Sequence, residues 1–355
     1  MKLIVEQELM ERIVISMQNF LEKRDSTQIT SNIYIDASFG NTLLRATDRE
    51  MGIEIESQQF RVVESGRVVV NGKRLLDVVK ILRGGDITVE KIDNSLQIYQ
   101  GRSRFKLSIF EDDQFPKFPN IAGKRKLAVD SKEIFKGLKQ ISKSIDNNNP
   151  KFQLNGALID IRRSNTYLVG TDTRRLSIYK VKGGADEKIS LIVPRKSTME
   201  ILKLFKDETF DTLCDETDII LKREGILLFS RLINGDYPDY NRVIPKEFKF
   251  SLEIPKKEFM EGLKMVGSIS QEVKIEMNRG IIKFQSLNPS NMEAKSEIPL
   301  DIDIDNFQIA VNSKYILDFL SQIESDRFEI KLNDEIKPFV LKVKQFLTVI
   351  MPIIV

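Results

Sequence analysis

A tandem triplication of one small domain, each copy opening with a strand that runs into a helix, is the architecture this sequence predicts. The segments VVVNGKRLLDVVKIL (68–82), LIVPRKSTMEILKLF (191–205) and IAVNSKYILDFLSQI (309–323) align without a gap. Each reads as a β-branched strand, a two-residue turn, a basic residue and an amphipathic helix. The spacing is 123 residues from Asn71 to Pro194 and 118 from Pro194 to Asn312, the length of one small domain. Further landmarks recur in the same frame. MKLIVEQELMERIVISMQNFL (1–21), KLAVDSKEIFKGLKQISKSI (126–145) and FSLEIPKKEFMEGLKMVGSI (250–269) each open a unit with a strand entering a helix. ATDREMGIEI (46–55) matches GTDTRRLSIY (170–179), and FKLSIFEDDQFPKFPNI (105–121) matches LLFSRLINGDYPDYNRVI (227–244), with FLTVIMPIIV (346–355) as a shortened third version.

Length and composition agree with this. A chain of 355 residues has a prior of two or three domains, and 41% hydrophobic residues suffices for a core in each. Glu6 and Glu8 interrupt the first apolar run, and no stretch reaches the length of a membrane span, so neither a signal peptide nor an anchor is expected. The lone cysteine, Cys214, excludes an internal disulfide framework and suits a reducing compartment, which predicts a cytoplasmic protein.

The 55 basic and 52 acidic residues nearly cancel, so the placement of the basic ones carries the information. Lys132, Lys136, Lys139 and Lys143 recur at the spacing of one helical face, while Ile134, Leu138, Ile141 and Ile145 recur on the opposite one. Lys73 and Lys80 have counterparts in Lys196 and Lys203; the third unit has Lys314, with Lys257 and Lys264 on its first helix. Basic helix faces at equivalent places in repeats would pool into a surface that attracts a polyanion through phosphate contacts, without reading base edges. Glu8 and Glu11 beside Arg12 on the first helix make that surface patchy.

Catalytic chemistry finds little footing. The chain has no histidine, which removes imidazole bases, Ser-His-Asp triads and most zinc sites. There is no GxxxxGK[ST] loop and no GxGxxG turn opening a helix. Cys214, in DTLCDETDIILK, reads as a packed or edge residue. The clusters Glu111, Asp112, Asp113 and Asp301, Asp303, Asp305 are the only candidates for Mg²⁺, and the alternation of DIDID puts its aspartates on one face of a strand.

Taken together, the triplicated layout, GRSRF (101–105), NGALI (155–159), TDTRRLSIY (171–179), VPRK (193–196), DYPDYNRVIP (236–245) and the C-terminal VIMP (349–352) resemble the bacterial sliding clamp family, the β subunit of DNA polymerase III. The resemblance spans the whole chain. It implies an α+β fold of three tandem clamp domains, 1–123, 124–247 and 248–355, each with two helices packed on antiparallel sheet. Two chains would close head to tail into a dimeric ring around duplex DNA. The protein would be a processivity factor rather than an enzyme, with neither cofactor nor metal. Its partners would be DNA of any sequence, polymerase subunits, the clamp loader and repair proteins that carry short linear motifs.

By that resemblance, DNA contacts fall on Arg24, Lys73, Arg74, Lys80, Arg195, Lys196 and Lys314, to which the lysine stripe adds Lys132, Lys136, Lys139 and Lys143. A peptide groove between the second and third domains would comprise Leu154, Thr171, Thr173, Arg174, Arg175, Leu176, Pro238, Arg242, Val243, Val349, Met351 and Ile353, approached past Phe152, Gln153, Asn312 and Tyr315. The apolar run VIMPIIV would serve either this groove or the core. The edge strand GRSRFKLSIF, with Phe105 and Leu107, and Ile269 on a third-unit helix are the expected dimer contacts. The family's usual Thr-Asp-Gly-His-Arg-Leu is Thr171-Asp172-Thr173-Arg174-Arg175-Leu176 here, and the chain ends without a nearby basic residue, so motif preference is expected to differ. Two other classes fit some of these features: a Mg²⁺-dependent nuclease or phosphoryl transferase using the acidic clusters, and a non-annular scaffold that binds only proteins.

Overall fold

Strand-to-helix segments open and punctuate every repeat. The computed structural model describes residues 1–25, 27–206, 208–287, 293–300, 302–304 and 306–354. The first repeat runs β1 (Lys2–Glu6), α1 (Gln7–Met17), β2 (Asn32–Ser38), β3 (Asn41–Thr47), β4 (Met51–Ser57), β5 (Arg61–Glu64), β6 (Gly66–Asn71), α2 (Gly72–Ile81), β7 (Asp86–Ile92), β8 (Ser95–Gln100) and β9 (Ser103–Phe110). The second runs β10 (Arg125–Lys126), α3 (Ser131–Ile141), β11 (Gly156–Ile161), β12 (Asn165–Thr171), β13 (Arg175–Lys182), β14 (Ile189–Pro194), α4 (Arg195–Leu204), β15 (Asp211–Cys214), β16 (Asp218–Arg223) and β17 (Ile226–Arg231). The third runs β18 (Phe250–Pro255), α5 (Lys256–Gly267), β19 (Glu272–Asn278), β20 (Ile281–Ser286), β21 (Lys295–Pro299), β22 (Phe307–Asn312), α6 (Ser313–Leu320), β23 (Arg327–Leu332), β24 (Phe339–Val343) and β25 (Phe346–Ile350).

The expected two-residue turn between strand and helix is absent. β6 passes directly into α2, as does β22 into α6, because the last strand residue is also the helix cap. The Asn71 Oδ1 accepts from the Arg74 amide at 3.1 Å, and the Asn312 Oδ1 from the Lys314 amide at 3.0 Å. Each cap satisfies one donor that a helix start leaves without a partner. Gly72 can follow immediately since it has no side chain; a Cβ there would lie 2.4 Å from Leu21 Cδ1.

The chain forms two compact units, one of Met1–Leu127 with Lys203–Leu232 and one of Ala128–Leu202 with the residues from Ile233 onward. The first contains a 13-stranded antiparallel sheet in the order β10-β15-β16-β17-β4-β3-β2-β6-β9-β8-β7-β1-β5. The second contains an eight-stranded sheet, β14-β11-β12-β13-β25-β24-β23-β18, and a four-stranded sheet, β21-β20-β19-β22. The repeats therefore share sheets. Strand β17 pairs with β4 (Leu228 opposite Ile53) and β13 with β25 (Leu176 opposite Val349), so strands that would otherwise be open edges are covered by a neighbouring repeat.

Helices pack against these sheets, α3 on β12 and β13 and α5 on β20 and β21. On α3, Ile134, Leu138 and Ile141 are buried, while Lys132, Lys136 and Lys139 are exposed, as the periodicity predicts. Gly137 sets how closely α3 approaches β12 and β13, because a Cβ there would sit 2.7 Å from Tyr179 and 2.8 Å from Leu168. Gly262 occupies the same place on α5, where a Cβ would be 2.7 Å from Phe284. The third repeat has an aromatic core: Phe259 meets Phe284 edge-on at 5.1 Å and Phe328 at 5.5 Å, and Phe319 stacks on Phe346 at 5.0 Å. Each such ring contributes roughly 2 to 3 kcal/mol from burial, with a further fraction from ring geometry.

Candidate functional site

The second unit carries an apolar cavity of about 460 Å³, and four short segments build it. Asn149, Pro150, Lys151 and Leu154 come from the stretch before β11, and Thr171 to Leu176 (Asp172 excepted) from the β12–β13 turn. Tyr237, Pro238, Asp239, Tyr240 and Val243 come from the loop after β17, and Val349 and Met351 from β25 and its exit. Beneath the opening lies a buried cluster of Leu158, Val169, Leu176, Ile178, Ile192, Tyr240, Val340 and Val349. The walls are thus the outer layer of a core rather than isolated surface residues. This resolves the two roles expected of the C-terminal run. Val349 and Ile350 are buried, Met351 is 42% exposed at the cavity, and its amide donates to the Arg174 carbonyl at 2.9 Å.

Ten of the sixteen residues expected here line the cavity: Leu154, Thr171, Thr173, Arg174, Arg175, Leu176, Pro238, Val243, Val349 and Met351. Six do not. Phe152 projects into solvent at 57% exposure, and the Gln153 amide lies against Gly235. Arg242 is paired with Asp239 at 3.0 Å. Asn312 caps α6, Tyr315 lies under the Arg175 guanidinium with 4.5 Å from its centroid, and Ile353 pairs with Ala310 at a separate pocket. Tyr237 and Tyr240 line the wall but were not anticipated; the available signal was the motif DYPDY, whose two aromatics stand three residues apart around Pro238. Burial pushes both phenols well above their usual range, and at Tyr240 the hydrogen bond it donates to Asp160 at 2.8 Å adds to this.

The β12–β13 turn that forms one lip is held by its own side chains. The Thr171 hydroxyl donates to the Arg175 carbonyl at 2.6 Å, and Asp172 Oδ1 accepts from the amides of Arg174 and Arg175 at 3.1 and 2.9 Å. Thr173, standing where the family's glycine is usual, has φ +72°, a left-handed conformation costly for a β-branched residue. Arg175 is buried and doubly paired, to Asp172 at 2.9 Å and to Asp318 at 2.8 Å.

The basic residues lie on helices or helical turns, except Arg24, which lies in the loop after α1. Arg24, Lys73, Arg74 and Lys80 are exposed in the first unit; Lys132, Lys136, Lys139, Lys143, Lys196 and Lys314 are exposed and Arg195 half-buried in the second. Lys143 and Lys314 both reach Asp318, at 3.4 and 2.8 Å. Strand β9 is only partly the edge that was expected. Its Ser103–Ser108 stretch pairs with β8 alone, whereas Ile109 and Phe110 pair with β6. Phe105 and Leu107 are half-buried, and Ile81 at the end of α2, which was not anticipated, is 69% exposed. In the second unit β21 pairs only with β20, and Met265 and Ile269 on and just beyond α5 are 64% and 42% exposed.

Among the described residues no group of three or more Asp, Glu or Cys is arranged to hold a metal. Of the DIDID aspartates, Asp301 and Asp305 lie outside the described residues, and Asp303 is 95% exposed beside Arg279. Cys214 is buried in β15, which pushes its thiol up. Among the described residues no helix is long and apolar enough to cross a membrane.

Known proteins give this geometry a family. The models for the N-terminal, central and C-terminal domains of the DNA polymerase III beta subunit match residues 1–119, 128–239 and 241–353 in that order. The chain belongs to the DNA polymerase III beta subunit family. Its three repeats are the three clamp domains of that family. A beta sliding clamp from Helicobacter pylori strain J99 is 32% identical over 352 residues, covering 96% of this chain and 94% of the relative. The crystal structure of a Helicobacter pylori beta clamp bound to a DNA ligase peptide matches with a TM-score of 0.94 at 31% identity, covering all of both chains. A sliding clamp of Bacillus subtilis shares the fold, with a TM-score of 0.92 at 21% identity over 100% of this chain and 99% of that one.

Proposed function

We propose that this chain is a DNA sliding clamp: a cytoplasmic processivity subunit with no catalytic site of its own, which encircles duplex DNA and holds the replicative polymerase and other partners by their linear motifs. The observation that carries the reading is the apolar cavity beside the β12–β13 turn, in a chain whose Helicobacter relative is solved with a DNA ligase peptide. Leu154, Leu176, Val349 and Met351 offer aliphatic walls to an apolar anchor, while Thr171, Thr173 and Arg174 offer the polar groups that orient a peptide. The reading extends the groove to Tyr237 and Tyr240.

Ring closure follows from the two open edges. The β9 edge of one copy and the β21 edge of a second can continue one sheet across the contact, with Ile81, Phe105 and Leu107 meeting Met265 and Ile269. Arg102, Arg104 and Lys106 are exposed along the β9 edge and Glu258, Glu261 and Glu297 are exposed on α5 and β21, so a head-to-tail contact of these edges would bring opposite charges together. Sliding needs weak, salt-sensitive, sequence-blind contacts, and solvated lysines on helix faces supply that kind.

The test is binding of the DNA ligase peptide of the Helicobacter structure, followed by fluorescence polarisation. The wild-type chain is expected to bind it, and Leu176→Asp, which places a charge against the buried floor, to weaken it at least tenfold. Equal binding by both proteins would remove the cavity as the docking site.

A further inference from the structure

Three cations converge on the carboxylate of Asp318, whose side chain is 14% exposed on α6. The Arg175 Nη1 donates to its Oδ2 at 2.8 Å, the Lys314 Nζ donates to the same oxygen at 2.8 Å, and the Lys143 Nζ lies 3.4 Å from Oδ1. Arg175 belongs to the groove wall, where its guanidinium covers the Tyr315 ring at 4.5 Å and also reaches the Lys143 carbonyl. Lys143 and Lys314 belong to the exposed basic faces, and Lys143 is further tied to the Ser321 hydroxyl at 2.7 Å. Asp172 is the second anion, 2.9 Å from Arg175 Nε, so three positive charges share two negative ones.

We propose that Asp318 is a positioning residue common to both functions: it fixes Arg175 in the wall of the peptide groove and restrains Lys143 and Lys314 from reaching DNA phosphates. The proposal rests on the groove and DNA-facing readings above. A buried arginine that loses one of its carboxylates also loses its preferred rotamer, whereas exposed lysines that lose theirs become free cations. Removing the charge of Asp318 should therefore move the two functions in opposite directions. Loss of packing would move them together.

The experiment compares the full-length wild type with Asp318→Asn, an isosteric change that leaves Arg175 an acceptor oxygen. Affinity for the ligase peptide is read by polarisation, and affinity for a fluorescent duplex by anisotropy across a salt series. Peptide binding is expected to weaken about tenfold, the scale of one charge-assisted hydrogen bond. Duplex binding is expected to tighten, and its log K against log salt slope to steepen by about 1 to 2, since each lysine that gains a phosphate adds roughly 0.9. Asp318→Glu should restore both. Adding the paired change Lys143→Gln with Lys314→Gln to Asp318→Asn should abolish the gain in duplex affinity, return the salt slope to that of the wild type and weaken peptide binding no further. A fall in both affinities for Asp318→Asn, or an unchanged salt slope, overturns the proposal. A wild type that binds neither probe overturns the groove and DNA readings themselves, and this one with them.

Discussion

At the scale of single residues, the repeat is written most legibly in one turn. Thr47, Asp48 and Arg49 reproduce the bonds of Thr171, Asp172 and Thr173: the Thr47 hydroxyl donates to the Met51 carbonyl at 2.8 Å, and Asp48 Oδ1 accepts from the Glu50 and Met51 amides at 3.0 and 2.8 Å. Both turns place their third residue at positive φ, +76° and +72°. The Thr-Asp pair is visible in the sequence because the turn is held locally by its own side chains. The Arg175–Asp318 pair is not, since its partners are 143 positions apart. Carboxylates of this kind set the response to acid. Burial alone would raise Asp215, but the hydrogen bond from the Lys124 ammonium, with those from Thr217 and the Asp218 amide, outweighs it and holds the carboxyl far below its usual range. Burial opposes the effect at Asp146 and Asp318 too, and there also hydrogen bonds win and lower the carboxyl. A depressed folded-state value contributes stability that is complete above the unfolded value, about 3.9, and is lost as pH falls through the folded one. Thermal unfolding should accordingly be nearly flat between about pH 5.5 and 7.5, where no imidazole titrates, and drop steeply below about pH 4. A midpoint that changed strongly near pH 6.5 would contradict this account.

At the scale of elements, helix faces were readable and sheet partners were not. The lysine stripe and its opposing isoleucines emerge from the 3.6-residue period alone, and α3 buries and exposes them accordingly. The pairing of β13 with β25 joins residues 167 to 175 positions apart, and no local pattern specifies it. The groove was legible as a set of motifs for the same reason that its outline was not: the cavity is the meeting place of four segments, and Tyr237 and Tyr240 enter it only through that packing. The close seat of α3 on its sheet depends on Gly137. Gly137→Ala should raise intrinsic helix propensity by about 1 kcal/mol, yet destabilise the protein by about 1 to 3 kcal/mol, because the new methyl overlaps Tyr179 and Leu168. Chemical denaturation would measure it, and an unchanged or higher midpoint would mean that α3 can shift outward at little cost.

At the scale of the whole molecule, assembly and DNA retention are separable. Ile269→Asp is expected to yield monomers in analytical ultracentrifugation, whereas Ile336→Asp, more solvent-facing at 61% exposure but away from the β21 edge, should leave the dimer intact. A dimer that survives the first change would place the contact elsewhere. Retention is then tested with the interface untouched. Lys136, Lys139 and Lys143 lie on the exposed side of α3 and the turn that follows it, opposite the buried isoleucines, so exchanging all three for Glu alters charge without entering the core. Since the chain carries a formal +3, this moves the protomer to −3 and replaces local attraction of phosphates by repulsion. The triple variant should remain folded and dimeric and still bind the ligase peptide, but its loading onto, or retention on, circular duplex should fall at low salt and lose most of its salt dependence. Retention equal to that of the wild type at low salt would assign the stripe to plain solvation and move the DNA contact to the other basic helices.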